Sequence, residues 1–433
     1  MKRKSLRKIL STTLAAIMTV GLCVGTQTKS YADAERGKQT TFSITKELQL
    51  GKGVTVPNAE FKFDFTPVGT ASAPADDHPA IGTPGENKST VTIPFTQDDT
   101  KNAVDCDGNY AKVVKVTTDL LANVQWAHAG QYKYTVTEQN GGETKNIDEG
   151  EKESIKYSDE SYDLYINVKN GQNGLVVDNV FASNAGTEIE KENEGKIGDI
   201  TTPSVPEGES TNDGIITGTD GNKFRFINIY KKIAGTGESI GNETVHNTLE
   251  ISKNVVSSDD SKDFIDKNTQ FSFTIRLNKV GALSSDQTYH YRKVNSDNTL
   301  SQEVPVTLGE SLDFTLAHDE RIIFTDVPVG TTYTVTENNP KGYAPSYETT
   351  QGNGDEPTKG SAEKGSSLSA ENKLVTEIKE SNKNATAFTN TLDANSITPT
   401  GIIINNLPFF LLIGGGIIAF AVTIANKRRR AVR

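Results

Sequence analysis

Three residues occur in one order, twice, along this chain: a lysine, a glutamate and an asparagine. Lys46 lies in "TFSITKELQL" (Thr41–Leu50) and Lys253 in "NTLEISKNVV" (Asn247–Val256). Glu138 ends the run "YTVTE" of "YKYTVTEQN" (Tyr132–Asn140), and Glu337 ends the same run in "TYTVTENN" (Thr332–Asn339). Asn228 stands in "KFRFINIYKK" (Lys223–Lys232) and Asn390 in "ATAFTNTL" (Ala385–Leu392), each two residues after a phenylalanine. The spacing between the three differs in the two copies, as expected if loops vary while three side chains must meet. Buried together, such a set has a definite chemistry. Burial disfavours charge, so it lowers a lysine pKa and raises a glutamate pKa. A neutral amine is a nucleophile. A protonated glutamate can hydrogen-bond the asparagine carbonyl and carry a proton to departing ammonia. Packed strands supply proximity. The product is a Lys–Asn isopeptide bond, formed once and without an added enzyme. The competing reading is a pair of ordinary buried salt bridges, which desolvation makes poor stabilisers.

The elements that would position these residues are short and strand-like. "AEFKFDFTPVG" places Phe61, Phe63 and Phe65 at period two, and "QFSFTIRL" does the same with Phe271, Phe273 and Ile275. Similar runs follow, bounded by Gly, Asn and Pro, so the expected fold class is all-β, with tandem antiparallel sandwiches. The expected layout is a signal peptide over 1–34, a first domain over 35–233, a linker over 234–245 ("AGTGESIGNE" at its core) and a second domain over 246–393. A sorting signal (394–401), a membrane segment (402–426) and a basic tail (427–433) complete it. The polar stretches 184–222 and 351–373 read as long surface loops or disordered insertions.

The chain has 433 residues and a net charge of −11, which argues against a nucleic-acid partner and suits a solvated extracellular surface. Its basic start, the apolar stretch "STTLAAIMTVGLCVG" and the small residues of "SYADA" form a secretory signal, cleaved after Ala32 or Ala34. A lipoprotein reading through Cys23 is weaker, because Leu22 precedes it. "LPFFLLIGGGIIAFAVTIA" (Leu407–Ala425) is uncharged over 19 residues and is followed by "NKRRRAVR", a stop-transfer pattern with its basic end inside. Signal removal takes away Cys23 and leaves Cys106, so no internal disulfide is expected, and packing, metal or some other covalent link must hold the exported chain.

"SITKEL", "YTVTE" and the F-x-N strands resemble the signature of the isopeptide-linked domains of Gram-positive, streptococcal-type major pilins. The resemblance implies immunoglobulin-like (CnaB-type) sandwiches whose bonds join first and last strands: Lys46–Asn228 with Glu138, and Lys253–Asn390 with Glu337. "SITPTG" resembles a sortase sorting signal in which Ile397, Thr398 and Pro399 precede the scissile pair Thr400 and Gly401. It departs from the usual Leu-Pro-any-Thr-Gly form. In the family a sortase holds the threonine as a thioester and passes it to a wall amine or to a lysine of the next subunit. Lys223 is the candidate acceptor, with Lys231 and Lys232 as rivals. The implied partners are a pilus sortase, identical subunits, peptidoglycan, and tip or base pilins or a host ligand. The alternative is a wall-anchored adhesin that does not polymerise. No enzyme constellation is visible beyond the single-turnover cross-link. No cofactor or metal is expected: "DCDGN" (Asp105–Asn109) lacks the remaining calcium ligands, and the histidines have no zinc spacing.

Overall fold

A computed structural model describes residues 38–393, apart from 149–151, 188–195, 207–210, 212, 260–264, 279 and 282–287. The signal peptide, sorting signal and apolar C-terminal segment lie outside the described residues. The architecture is almost entirely β, and the chain divides into two units, the first ending at Lys231 and the second beginning at Lys232.

In the first unit, the strand Thr45–Gly51 lies between Tyr110–Thr117, antiparallel to it, and Arg225–Lys232, parallel to it. This sheet continues to Ile215–Thr217 on one side and to Glu153–Lys156 and Thr144–Asp148 on the other. The facing sheet runs Gly174–Asn184, Ser161–Gly171, Gly130–Glu138, Ala59–Val68, Ser89–Phe95, Thr83–Pro84. Period-two alternation turns Phe61, Phe63 and Phe65 into the core, where all three are buried. Phe63 of one sheet meets Phe226 of the other at 4.9 Å between ring centroids, which makes the unit a sandwich.

The second unit repeats this plan. Leu249–Ser257 lies beside Ala385–Leu392, again parallel, and beside Arg321–Phe324, antiparallel. Tyr343–Thr350 and Thr358–Ser361 extend the sheet past the last strand. The facing sheet is Ser311–Leu316, Phe271–Leu277, Thr332–Asn338, Leu368–Leu374. Phe273 meets Phe388 across the sandwich at 5.3 Å.

Three stretches differ from the expectations above. The supposed linker is a hairpin, Thr236–Ile240 against Glu243–Asn247. It has an apolar face, since Ile240 and Val245 bury themselves against Val294 and Ile323. The stretch 351–373 supplies Thr358–Ser361 and most of Leu368–Leu374, so it is largely sheet. Few of its side chains face the core (Leu368 and Ala370 do), which is why its composition reads as loop. The stretch 184–222 is mostly irregular where described, apart from the strand Ile215–Thr217, yet it is tied down. Asn222 is buried; its amide donates to the Ser43, Ile200 and Thr201 carbonyls and accepts from the Thr45 hydroxyl and the Phe224 N–H. Gly221 beside it has φ +73°, and a Cβ there would meet the Thr45 side chain at 2.5 Å.

Candidate functional site: two buried lysine, glutamate and asparagine clusters

Parallel pairing of the first and last strands sets the geometry. In the first unit Lys46 lies opposite Phe226 and Leu48 opposite Asn228. Residues two apart share a face, so Lys46 and Asn228 both point into the sandwich from neighbouring strands. Glu138 comes from the other sheet, where it lies opposite Phe63. The three side chains converge between the sheets. Lys46 Nζ is 2.9 Å from Glu138 Oε2, and Asn228 Nδ2 donates to Glu138 Oε1 at 2.8 Å. Lys46 and Asn228 are fully buried and Glu138 is 3 % exposed. Phe61 and Phe63 cover the amine, with ring centroids 4.6 and 5.8 Å from Nζ.

The second unit reproduces the register. Lys253 lies opposite Phe388, Val255 opposite Asn390, and Glu337 opposite Phe273. Lys253 Nζ is 2.9 Å from Glu337 Oε1, and Asn390 Nδ2 donates to that same oxygen at 2.7 Å. Phe271 and Phe273 stand over the amine at 4.6 and 6.0 Å. Lys253 is 2 % exposed, and Glu337 and Asn390 are fully buried. The amine is close to the carboxylate but not aligned for a hydrogen bond, and Glu337 Oε2 has no partner.

The electrostatics follow from burial. Desolvation is the largest influence on Lys46 and lowers its pKa from 10.5 to about 8, with Glu138 pulling back the other way. Lys253 is likewise lowered to about 8 by desolvation, opposed by Glu337. Glu138 is raised above its ordinary value by desolvation, against the stabilising effects of Lys46, Asn228 and the Ser158 backbone. A proton passing from lysine to glutamate leaves each site neutral, which a low-dielectric interior favours.

The amide orientations depart from the expected arrangement, in which glutamate hydrogen-bonds the asparagine carbonyl. Asn228 Oδ1 accepts from the Ser158 backbone N–H at 2.7 Å. A backbone N–H can only donate, so it fixes the amide with its oxygen toward Ser158 and its nitrogen toward Glu138. Asn390 Oδ1 has no partner. Sequence reading did not find Ser158: it lies between two strands and belongs to no repeated motif. The phenylalanines were read as core residues, and their place over the amines follows only from the register.

Lys223, the candidate acceptor, is exposed, and its backbone N–H donates to the Asp199 carbonyl. Lys232 lies 3.7 Å from Glu377. Ile397, Thr398, Pro399, Thr400 and Gly401 lie outside the described residues. Among the described residues there is no cluster of metal-ligating side chains, and no helix is long and apolar enough to cross a membrane.

Residues 42–231 match the family described as the Spy0128-like isopeptide containing domain, a span that includes Lys46, Glu138 and Asn228. Residues 247–392, which include Lys253, Glu337 and Asn390, match a domain family of unknown function, DUF7601. No curated protein matches the chain. Among solved structures, the chain resembles the major pilin from Streptococcus pyogenes at 18 % identity and a TM-score of 0.31, covering 82 % of this chain and 99 % of that one. The major pilin T3.2 of the same organism, serotype GAS13637, gives 18 %, 0.29, 82 % and 100 %. A pilus-presented adhesin, Spy0125, gives 15 % and 0.22, over 54 % of this chain and 36 % of that one. Likeness at this level describes neither an assembly nor a partner of this chain.

Proposed function

We propose, for a chain whose residues 42–231 belong to the Spy0128-like isopeptide containing family, that it is a structural subunit of a covalent surface pilus and that each unit is closed by a Lys–Asn isopeptide bond. One observation carries this reading: the same buried Lys, Glu and Asn set recurs at equivalent register positions in both units. Salt bridges alone would not require an asparagine on the same carboxylate twice.

The reaction balances within each site. Lysine passes its proton to glutamate, leaving a neutral amine beside a carboxylic acid. In the first unit Lys46 Nζ attacks Asn228 Cγ and the carbonyl oxygen takes the negative charge. Glu138 protonates Nδ2, the C–N bond breaks, and ammonia leaves. Glu138 recovers a proton from the new amide nitrogen and ends as the neutral carboxylic acid, having taken two protons from the lysine and passed one to the ammonia. Lys253, Glu337 and Asn390 take the same roles in the second unit. The phenylalanine shell excludes water that would hold the amine charged.

In assembly, Thr400 is the residue a sortase would hold, Lys223 of the next subunit's first unit the acceptor, and the chain's destination is the cell wall. Wall extracts boiled in detergent test this assembly. A ladder of regular multimers that Lys223→Arg and Thr400→Ala each abolish is expected. A single band from the unmodified chain would contradict polymerisation and favour an adhesin anchored as a monomer.

A further inference from the structure

The two sites differ in the surroundings of the asparagine oxygen, and that difference bears on how each bond forms. In the first unit the strand Glu153–Lys156 ends before the chain passes Asn228. Beyond it, Tyr157 packs edge-on against Phe61, and the N–H of Ser158 is free of any ladder and turns to Asn228 Oδ1. Its position is held on the carbonyl side, where Gly142 N–H donates to Ser158 O. Gly141 allows that approach: a Cβ there would come within 3.0 Å of Ser158 O. In the second unit Tyr343 makes the corresponding edge contact, with Phe271. Here the chain continues directly into the strand Tyr343–Thr350, laid along the asparagine strand. The residue opposite Asn390 is Pro345, which has no N–H to give. Asn390 Oδ1, fully buried, is accordingly left without a donor.

We propose that the Ser158 backbone N–H is an oxyanion donor for the first cross-link, and that the second site, lacking a counterpart, closes more slowly. The proposal rests on the isopeptide reading above. Negative charge develops on the asparagine oxygen as the amine adds, and a donor already within 2.7 Å of that oxygen stabilises the charge without reorganisation. At the second site no described donor reaches Asn390 Oδ1, and Glu337 is the carboxyl group beside the amide. It must serve both the oxygen, after the amide turns over, and the departing nitrogen. Deleting one oxyanion donor elsewhere costs about 10²–10³ in rate, so the first bond should precede the second by at least tenfold.

The test follows pulse-labelled full chain from cell-free synthesis, with samples quenched in acid over time and the two cross-linked peptide pairs quantified by mass spectrometry. The expected course is early appearance of the Lys46–Asn228 pair and a transient population with the second site open. Simultaneous closure, or the Lys253–Asn390 pair first, overturns the proposal. A second arm replaces Ser158 by its α-hydroxy acid, which removes only the N–H. The first bond should then slow by roughly a hundredfold while the second keeps its rate, which also reports that the chain still folds. An unchanged first rate would likewise overturn the proposal. If neither pair ever appears in the unmodified chain, the isopeptide reading itself fails, an outcome distinct from either of these.

Discussion

On the proposed chemistry Glu138 and Glu337 would have a task that neither charge nor packing alone satisfies: each would take a proton from one neighbour and pass one to another. The reactive form of the first pair carries one proton shared between Lys46 and Glu138, and the pair titrates as a unit. Below the raised pKa of Glu138 both groups are protonated and the amine is blocked. Above about 8 the pair loses its proton and the acid is gone. The rate of first-bond formation, followed after dilution of unlinked chain from denaturant, should be level between these limits and fall on both sides. A rate that climbs steadily past pH 8 would show that glutamate is not the acid. Glu138→Gln keeps the shape of the site but cannot shuttle a proton. It should leave the first cross-link unformed on the time scale in which the second completes.

An unlinked lysine should betray itself in stability. In Asn228→Ala the amine remains titratable, with a folded-state pKa near 8 against 10.5 in the unfolded chain. The unfolded state therefore holds more protons between those values, and stability rises with pH across that window, by about 3 kcal/mol at most. Urea midpoints should show the rise in Asn228→Ala and not in Asn228→Ala with Lys46→Met. Equal slopes in the two variants would mean that Lys46 is not desolvated when folded.

At the scale of the element, the decisive device is the parallel pairing of first and last strands. Which strands come first and last was legible, because F-x-N marks the last strand and the core phenylalanines alternate at period two in both units; their parallel pairing was not, since the patterning alone suggested antiparallel sandwiches. Which lysine neighbours which asparagine was legible only through the repeat, since a single lysine in a strand usually points to solvent. The hairpin Thr236–Ile240 with Glu243–Asn247 was not legible. Its two core contacts, Ile240 and Val245, are too few to stand out among Gly, Glu and Asn. Ser158 was illegible for a different reason: it acts through its backbone, which carries no side-chain signature. Asn222 was hidden by the polar composition around it. Its five hydrogen bonds stitch the segment before the last strand to the first strand and its neighbourhood. Asn222→Ala should cost about 2–4 kcal/mol, since it strands several buried groups at once. It should also lower the yield of the Lys46–Asn228 pair, read by peptide mapping, by loosening the register that brings the two strands together. A variant with unchanged stability would show that the segment is not fastened there.

At the scale of the molecule, each cross-link would tie the ends of its own unit. Noncovalent domains hold by only about 5–15 kcal/mol, and strands pulled from their ends give way in succession. A bond between first and last strands carries tension past the intervening fold. It also constrains the unfolded chain over a long loop, worth roughly 5 kcal/mol per unit on the loop-entropy estimate. Loss of either bond should lower that unit's melting temperature by about 10–20 °C, with the other unit unchanged in calorimetry. The reinforcement is indifferent to reductants, which suits the proposed surface pilus.

The most direct measurement is peptide-level mass spectrometry of the purified full chain after proteolysis. The Lys46 peptide should be found joined to the Asn228 peptide, and the Lys253 peptide to the Asn390 peptide, each pair lighter than its sum by one ammonia. Glu138→Ala should abolish only the first pair and Glu337→Ala only the second. Recovery of all four peptides separately, at full mass, from folded unmodified chain would contradict the account.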